Sequence, residues 1–94
     1  MPINNEQITA ETDIESLIVH AISEVPNLQS GEKFMVRDLF IGYEWNRLSS
    51  YTRAKVGAGF YYQYAKIENL SEVEILEKSA RNQQLYRKKI EKDG

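Results

Sequence analysis

The sequence has no cysteine, one histidine, two prolines and no long apolar run. Without cysteine the chain has no disulfide, thiolate nucleophile, zinc finger or iron–sulfur cluster. His20 alone cannot build a histidine metal cage, and no stretch is apolar enough to span a membrane. The first residues lack the basic and apolar regions of a signal peptide. We therefore expect a cytoplasmic protein that uses no metal, no cofactor and no membrane.

The length of 94 residues and the ordinary composition, with 41% apolar and 28% charged residues, indicate one small globular domain. Residues 1–11 are polar and lack periodicity, which predicts a flexible N-terminal arm. The folded domain is expected over residues 12–92.

The net charge of −2 conceals an uneven distribution. Residues 1–32 carry six acidic residues and no lysine or arginine, a net of −6. Residues 33–94 carry twelve basic and eight acidic residues, a net of +4. Such asymmetry is typical of a face that binds a polyanion or of a charged tail. A solvated acidic arm beside an ordinary basic surface is the alternative.

A first helix is predicted over residues 13–25. Thr12 and Glu15 have the spacing of a capping box, and Pro26 ends the pattern. The apolar residues behind the cap recur at helical spacing along one face. They are Ile14, Leu17, Ile18, Ala21, Ile22 and Val25.

The middle of the chain contains short elements. Residues 33–36 are β-prone and predict a short strand, and residues 37–41 predict a second helix of one or two turns. Gly42 is interpreted as the stop of that helix. Trp45 and Leu48 then follow as predicted core residues.

A third helix is predicted over residues 51–67, with Ser49 or Ser50 as its N-cap. Its inner face is formed by Val56, Phe60, Tyr64 and Ile67. Its outer face is formed by Tyr51, Lys55, Gly59, Tyr62 and Lys66. Gly57 lies beside the inner face and is interpreted as a glycine that lets another element pack closely.

The C-terminal part is predicted to form a β-hairpin with strands over residues 73–78 and 84–90. The connecting Ala-Arg-Asn-Gln segment has only a weak turn signature, so a helix over residues 79–92 is the competing interpretation.

This element order predicts an α+β fold, a winged helix-turn-helix with three helices, a short strand and a C-terminal β-hairpin wing. In that architecture the third helix enters the major groove of DNA. Lysines on its outer face would contact phosphates, tyrosines would donate hydrogen bonds or stack, and Gly59 would let the backbone approach a phosphate. Basic residues on the hairpin would reach the backbone or the minor groove. The predicted nucleic-acid-binding residues are Tyr51, Lys55, Gly59, Tyr62, Lys66, Lys78, Arg81, Arg87 and Lys88.

Two interpretations that involve no binding function stay open for these residues. In the first, the lysines and tyrosines of the third helix form an ordinary solvated face. The basic run at residues 87–89 is also typical of an edge strand protected by charge.

No arrangement of residues indicates catalysis, so an enzyme is not expected. His20 has no predictable partner and is interpreted as an exposed side chain. Glu74 and Glu77 are three positions apart on a predicted strand and would face opposite sides. No Gly-rich phosphate loop is present.

The segment from Phe34 to Phe40, followed by Gly42 and Trp45, has the pattern F-x-x-(R/K)-D-L-F-x-G-x-x-W. With Leu48, Arg53, Gly57 and Phe60 it resembles a small domain family of bacteria, phages and plasmids whose function is unknown. The resemblance covers about residues 34–90 and implies a bacterial or mobile-element setting without implying an activity. Arg53 is expected to lie near the buried edge of the third helix, where it would pair with Asp38.

Two functions are carried forward. The first is a transcriptional regulator that binds duplex DNA, as a homodimer because one small module covers little DNA surface. The second is a phage or mobile-element interaction module, or an inhibitor of a host protein, that uses the same scaffold without nucleic acid. The tyrosine-rich outer face and the weak net charge favour the second, since tyrosine is enriched at protein interfaces.

Overall fold

A computed structural model describes residues 8–67, 70–81 and 83–90. In this part of the chain, three α-helices and a three-stranded antiparallel sheet form an α+β domain. The helices are α1 (Ile14–Glu24), α2 (Gly42–Asn46) and α3 (Ser50–Phe60). The strands are β1 (Lys33–Phe34), β2 (Val73–Lys78) and β3 (Gln84–Lys88). The α+β class is therefore confirmed.

The apolar stripe predicted for the first helix packs as expected, but its cap differs. Asp13 is the N-cap of α1, and its carboxylate accepts hydrogen bonds from the Ser16 N–H at 3.1 Å and the Ser16 hydroxyl at 2.7 Å. Thr12 instead accepts a bond from the Thr9 N–H at 2.9 Å. The predicted capping box was wrong because Asp13 is itself a strong cap and has its own hydroxyl donor three residues on.

The second predicted helix is replaced by two shorter elements. Val36–Leu39 is a single 3₁₀ turn, in which the Asp38 carboxylate accepts a bond from the Met35 N–H at 2.8 Å. The backbone is extended at Phe40, and α2 begins at Gly42. Gly42 therefore starts a helix and does not end one.

The third helix begins as predicted, with the Ser49 hydroxyl accepting a bond from the Thr52 N–H at 3.1 Å. After Phe60 it widens into a π-helical turn at Tyr61–Ala65, in which the Lys66 N–H donates to the Tyr61 carbonyl at 2.9 Å. This turn brings Tyr64 and Ala65 into the core, whereas Ile67, predicted on the inner face, is exposed.

The predicted hairpin is present as β2 and β3, so β3 occupies the region of the competing C-terminal helix. The sheet order is β1–β3–β2. Gly31 has a φ of +83°, which favours glycine, and its N–H donates to the Lys88 carbonyl at 2.8 Å. This turn extends the pairing between β1 and β3.

The core lies between α1, α3 and the inner face of the sheet. Phe34, Phe60 and Tyr86 form an aromatic cluster with ring centroids 5.2–6.4 Å apart. The core also contains Ile8, whose N–H donates to Glu44 and whose carbonyl accepts a 2.8 Å bond from Arg47. The packed residues therefore include Ile8, which lies inside the segment predicted as an arm. Residues 1–7 lie outside the described residues.

Candidate nucleic-acid interface

The outward side of α3 carries two pairs of a lysine and a tyrosine. The Lys55 ammonium lies 5.5 Å from the Tyr51 ring centroid, and the Lys66 ammonium lies 5.4 Å from the Tyr62 ring centroid. Tyr51 is 66% exposed and Tyr62 is 63% exposed. These cation–π contacts are worth about 0.5–1 kcal/mol at exposed sites, so they orient the lysines while both charges stay in solvent. Tyr51 and Lys55 thus pair on α3, and Tyr62 and Lys66 pair on the π-helical turn and the residue after it; these two pairs are here called the outward side of α3.

The predicted hairpin residues Lys78 and Arg81 are exposed at the end of the sheet. Ser79 organises the turn: its N–H donates to the Gln83 carbonyl at 2.7 Å, and its hydroxyl accepts from the Arg81 N–H at 3.3 Å. Lys78 is the last residue of β2 and lines one space with residues of α3, and Arg81 follows it three residues on.

Between α3 and the hairpin runs a groove of about 740 Å³, here called the α3–hairpin groove. On the helix side it is lined by Ala54, Gly57 and Ala58. The space stays open because two of these residues carry only a methyl group and Gly57 has no side chain. A Cβ added to Gly57 would meet no atom within 4 Å. Gly57 therefore opens the groove, and its predicted packing role was wrong.

The other sides of the groove are polar, basic and aromatic. Arg37 comes from the 3₁₀ turn, Trp45 from α2, and Lys78 with Gln84 from the hairpin. Tyr86 also lines the groove; burial raises the pKa of its hydroxyl well above the ordinary value, and the charge interaction with Tyr61 adds to this. Burial therefore further favours the neutral hydroxyl, which is the form that tyrosine already has at neutral pH.

Gly59 was assigned to the outer face, and this was wrong. A Cβ at Gly59 would lie far inside van der Waals contact of Ile18 Cδ1 and 2.8 Å from Ile18 Cγ1. Since α1 packs against α3 at this point, Gly59 permits helix–helix contact and is closed to a phosphate.

Two basic residues of β3 are also engaged within the protein. Lys88 is 8% exposed; its ammonium donates to the Val25 carbonyl at 3.4 Å and lies 3.6 Å from the Glu72 carboxylate. Its side chain points to the inner face of the sheet, as every second residue of a strand does, so its assignment to the interface was wrong. Arg87 lies on the outward face and forms a 2.9 Å ion pair with Glu74.

The expected pair of Arg53 and Asp38 does not form. Arg53 Nε donates to the Trp45 carbonyl at 3.3 Å and Nη2 to the Asn46 carbonyl at 3.3 Å. Asp38 is used by the Met35 N–H. Arg53 therefore joins α3 to the end of α2, where the last carbonyls of a helix favour a cation.

His20 is half-buried and not on the exposed surface that was predicted for it. Its Nε2 lies 3.2 Å from the Leu39 carbonyl oxygen, and its ring centroid lies 4.9 Å from that of Phe40. The tautomer with a proton on Nε2 satisfies this contact.

The interface includes residues that sequence reasoning did not select, chiefly Arg37, Arg53 and Trp45. One signal in the sequence points to Trp45 and Arg53 but not to Arg37: the segment from Trp45 to Ile67 contains Arg47, Arg53, Lys55 and Lys66 and no acidic residue. That acid-free segment folds into α3 and its flanks, whereas the acidic residues of α1 belong to another helix.

A family model described as a domain of unknown function matches residues 19–88. The chain belongs to this family, DUF1413. The match confirms the expected membership of a small family of unknown function. It begins in α1 and ends at the last residue of β3, so the DUF1413 domain contains α3, the hairpin and the groove between them. No curated protein and no solved structure matches the chain.

Two further properties of this DUF1413 domain concern the described residues only. No helix among them is long and apolar enough to cross a membrane. Within the same ranges, no group of three histidine, aspartate or glutamate side chains is arranged to hold a metal ion.

Proposed function

We propose that this protein is a winged-helix domain that binds duplex DNA through the outward side of α3 and the β2–β3 hairpin. The observation that carries the proposal is the exposed, acid-free face of α3, with Lys55 and Lys66 directed to solvent beside tyrosine rings.

The architecture supports this proposal. The order of elements, α1, β1, α2, α3, β2 and β3, is that of a winged helix-turn-helix. Because β3 is the central strand, β2 and the hairpin turn lie at a free edge beside α3. A helix and a flanking hairpin on one side of a domain fit the major groove and the adjacent backbone of DNA.

Electrostatics support the same surface. Phosphate contacts by lysine and arginine supply most sequence-independent affinity for DNA. Lys55, Lys66, Lys78 and Arg81 are exposed on α3 and the hairpin. Lys88 and Arg87 are not counted, since one is buried and the other is paired with Glu74.

The size of the domain leads us to propose a homodimer as the DNA-bound form. A single small module buries about 600–1,000 Å² on DNA, and regulators of this size usually gain specificity from two half-sites. A transcriptional regulator in the cytoplasm is the role that such a dimer would serve.

The proposal is tested by fluorescence anisotropy with random-sequence duplex DNA at about 50 and 200 mM salt. We expect micromolar binding at the lower salt and a steep loss at the higher salt. The Lys55→Ala/Lys66→Ala double variant should weaken binding and flatten the log–log salt dependence by about two units, because about 0.9 counterion is released per phosphate contact.

Lys33→Ala is the matched control. Lys33 is exposed on the outward face of the sheet, opposite the side that packs on Phe60. Its loss should leave the salt dependence unchanged. No binding by the wild-type protein, or an equal effect of Lys33→Ala, would contradict the proposal.

The second candidate is a protein-interaction module, favoured by exposed apolar and aromatic side chains outside α3. Val19, Ile41 and Tyr43 are each between 54% and 57% exposed. Such a module would give no salt-dependent DNA binding, would not be retained on heparin, and would lose its partner when Val19 and Ile41 are replaced by serine.

A further inference from the structure

The α3–hairpin groove has the dimensions of a small-molecule site. Its volume of about 740 Å³ lies within the range of about 300–1,000 Å³ that is usual for ligand pockets. The space exists because Ala54, Gly57 and Ala58 form the helix wall. Larger residues at these positions would fill it without contacting the core.

The charge of the groove is of one sign. Arg37, Arg53 and Lys78 line it, and among residues 8–67, 70–81 and 83–90 no acidic residue lines it. Arg53 is held in place by the two carbonyls at the end of α2. Within the described residues, no hydrogen bond or ion pair engages the side-chain charge of Arg37 or Lys78. Two cations are therefore available to an anion, and a third is fixed nearby.

The groove also offers flat rings and amide groups. Trp45 and Tyr61 are half-buried at its side, and Tyr62 lies at its rim. Asn46, Gln83 and Gln84 bring amides that can donate and accept hydrogen bonds. Aromatic and arginine planes stack on planar bases, and arginine with lysine binds phosphate.

We infer that the α3–hairpin groove binds a nucleoside monophosphate-sized ligand, with its phosphate at Arg37 and Lys78 and its planar base against Trp45 and Tyr61. This site shares Lys78 with the proposed duplex contact but differs from it in Arg37, Trp45 and Tyr61, and its occupation requires no duplex DNA. The groove recognises a phosphate and a planar base that belong to one nucleotide. Such a ligand is either a free nucleotide or an unpaired nucleotide of a single strand.

The sole tryptophan of the chain reports on the site directly, because Trp45 lines the groove. The full-length protein is titrated with AMP, GMP, CMP and UMP while Trp45 fluorescence is recorded, and calorimetry gives the stoichiometry. We expect saturable quenching by at least one nucleotide at about 1 mM or below, with one site per chain. Inorganic phosphate and free nucleosides should bind at least about tenfold more weakly, because each supplies half of the contacts.

A parallel titration with short single-stranded DNA distinguishes the two sources. Tighter binding of the strand than of any mononucleotide assigns the groove to an unpaired nucleotide, and the reverse assigns it to a free one. Because no duplex is present, failure of duplex binding leaves this result intact.

Variants separate the groove from general attraction of anions. Arg37→Gln and Lys78→Gln should each weaken nucleotide binding by about tenfold, since each removes a charged hydrogen bond to phosphate. Lys33→Gln, which removes the same charge outside the groove, should bind as the wild type does. Gly57→Leu should fill the groove and abolish binding with an unchanged circular dichroism spectrum.

Absence of saturable binding by all four nucleotides and by the single strand would overturn the inference. An equal loss of affinity in Lys33→Gln and Arg37→Gln, or undiminished binding by folded Gly57→Leu, would overturn it as well.

Discussion

The helices α1 and α3 each have 11 residues and pack against each other, yet they differ in almost every other respect. α1 carries acidic residues and no lysine or arginine, and one apolar stripe faces the core. α3 carries Arg53 and Lys55 and no acidic residue. These two packed helices therefore carry charge of opposite sign, although the net charge of the chain is only −2.

The two helices also differ in how many of their sides are used. α1 has an inner and an outer side, as an ordinary amphipathic helix does. α3 meets the core through Val56 and Phe60, meets α1 at Gly59, borders the groove at Gly57, and faces solvent at Lys55. α3 therefore has no single apolar stripe, and its different sides contact the core, α1, the groove and solvent.

The largest expected effect comes from breaking the core that α1 and α3 share. Phe60→Ala should lower the free energy of unfolding by about 3–5 kcal/mol, because Phe60 is fully buried among Phe34, Tyr64 and Tyr86. Urea denaturation measures the loss. Tyr62→Ala, two residues along and exposed, should change stability by less than about 0.5 kcal/mol. Similar losses of unfolding free energy in both variants would contradict the assignment of Phe60 to the core and of Tyr62 to the surface.

Alanine substitution of the two glycines of α3 should change the free energy of unfolding by smaller amounts and with opposite signs. Gly59→Ala should destabilise by about 1–2 kcal/mol, because overpacking against Ile18 exceeds the gain in helix propensity. Gly57→Ala should stabilise by about 0.5–1 kcal/mol, because its Cβ enters open space. Thermal and urea unfolding of the two variants measure both signs.

A double-mutant cycle identifies the cause of the Gly59 effect. In an Ile18→Ala background the penalty of Gly59→Ala should shrink, because the colliding side chain is gone. A penalty that is unchanged by Ile18→Ala would show that contact with α1 is not its source.

The smallest expected effect is a pH dependence of the unfolding free energy that comes from the N-cap of α1. The N-cap of α1 is a carboxylate, whereas that of α3 is the Ser49 hydroxyl, which does not titrate in the acid range. Bonds from the Ser16 side chain and backbone hold the pKa of Asp13 below its ordinary value of 3.8. Its contribution to stability is present above pH 3.8 and is lost as the pH falls through the folded-state pKa.

Asp13→Ser tests this, because serine caps without titrating in that range. The difference in unfolding free energy between the wild type and Asp13→Ser should narrow below pH 3.8 and stay constant between pH 5 and 7. A difference independent of pH would refute the assignment of Asp13 as the titrating cap.

Much of the secondary structure could be predicted because its signals are local. The spacing from Ile14 to Val25 and the following Pro26 delimit α1 within one residue at each end. The β-branched start of β2 and its return strand predict the hairpin. The element near Phe40 could not be predicted, since the Asp38 carboxylate tightens one turn and the chain restarts at Gly42.

The candidate site was predicted in part. Tyr51 pairs with Lys55, and Tyr62 pairs with Lys66, because residues four apart on a helix are neighbours. Lys88 could not be recognised as buried from its neighbours, since an identical basic run on an edge strand would be solvated. Its burial depends on the Val25 carbonyl, which comes from a distant part of the chain.

The sequence by itself determined the class of the fold, the positions of α1, α3 and the hairpin, and the separation of acidic from basic residues, because periodicity, caps and charge order act between near neighbours. Only the tertiary structure decided that Gly59 packs against α1 while Gly57 borders the groove. It also decided that Lys88 is buried and Arg87 is paired within the protein, and that Arg37, Trp45 and Lys78 line the same groove. Those properties depend on contacts between residues far apart in the chain, and no local pattern encodes the neighbour that a side chain will meet.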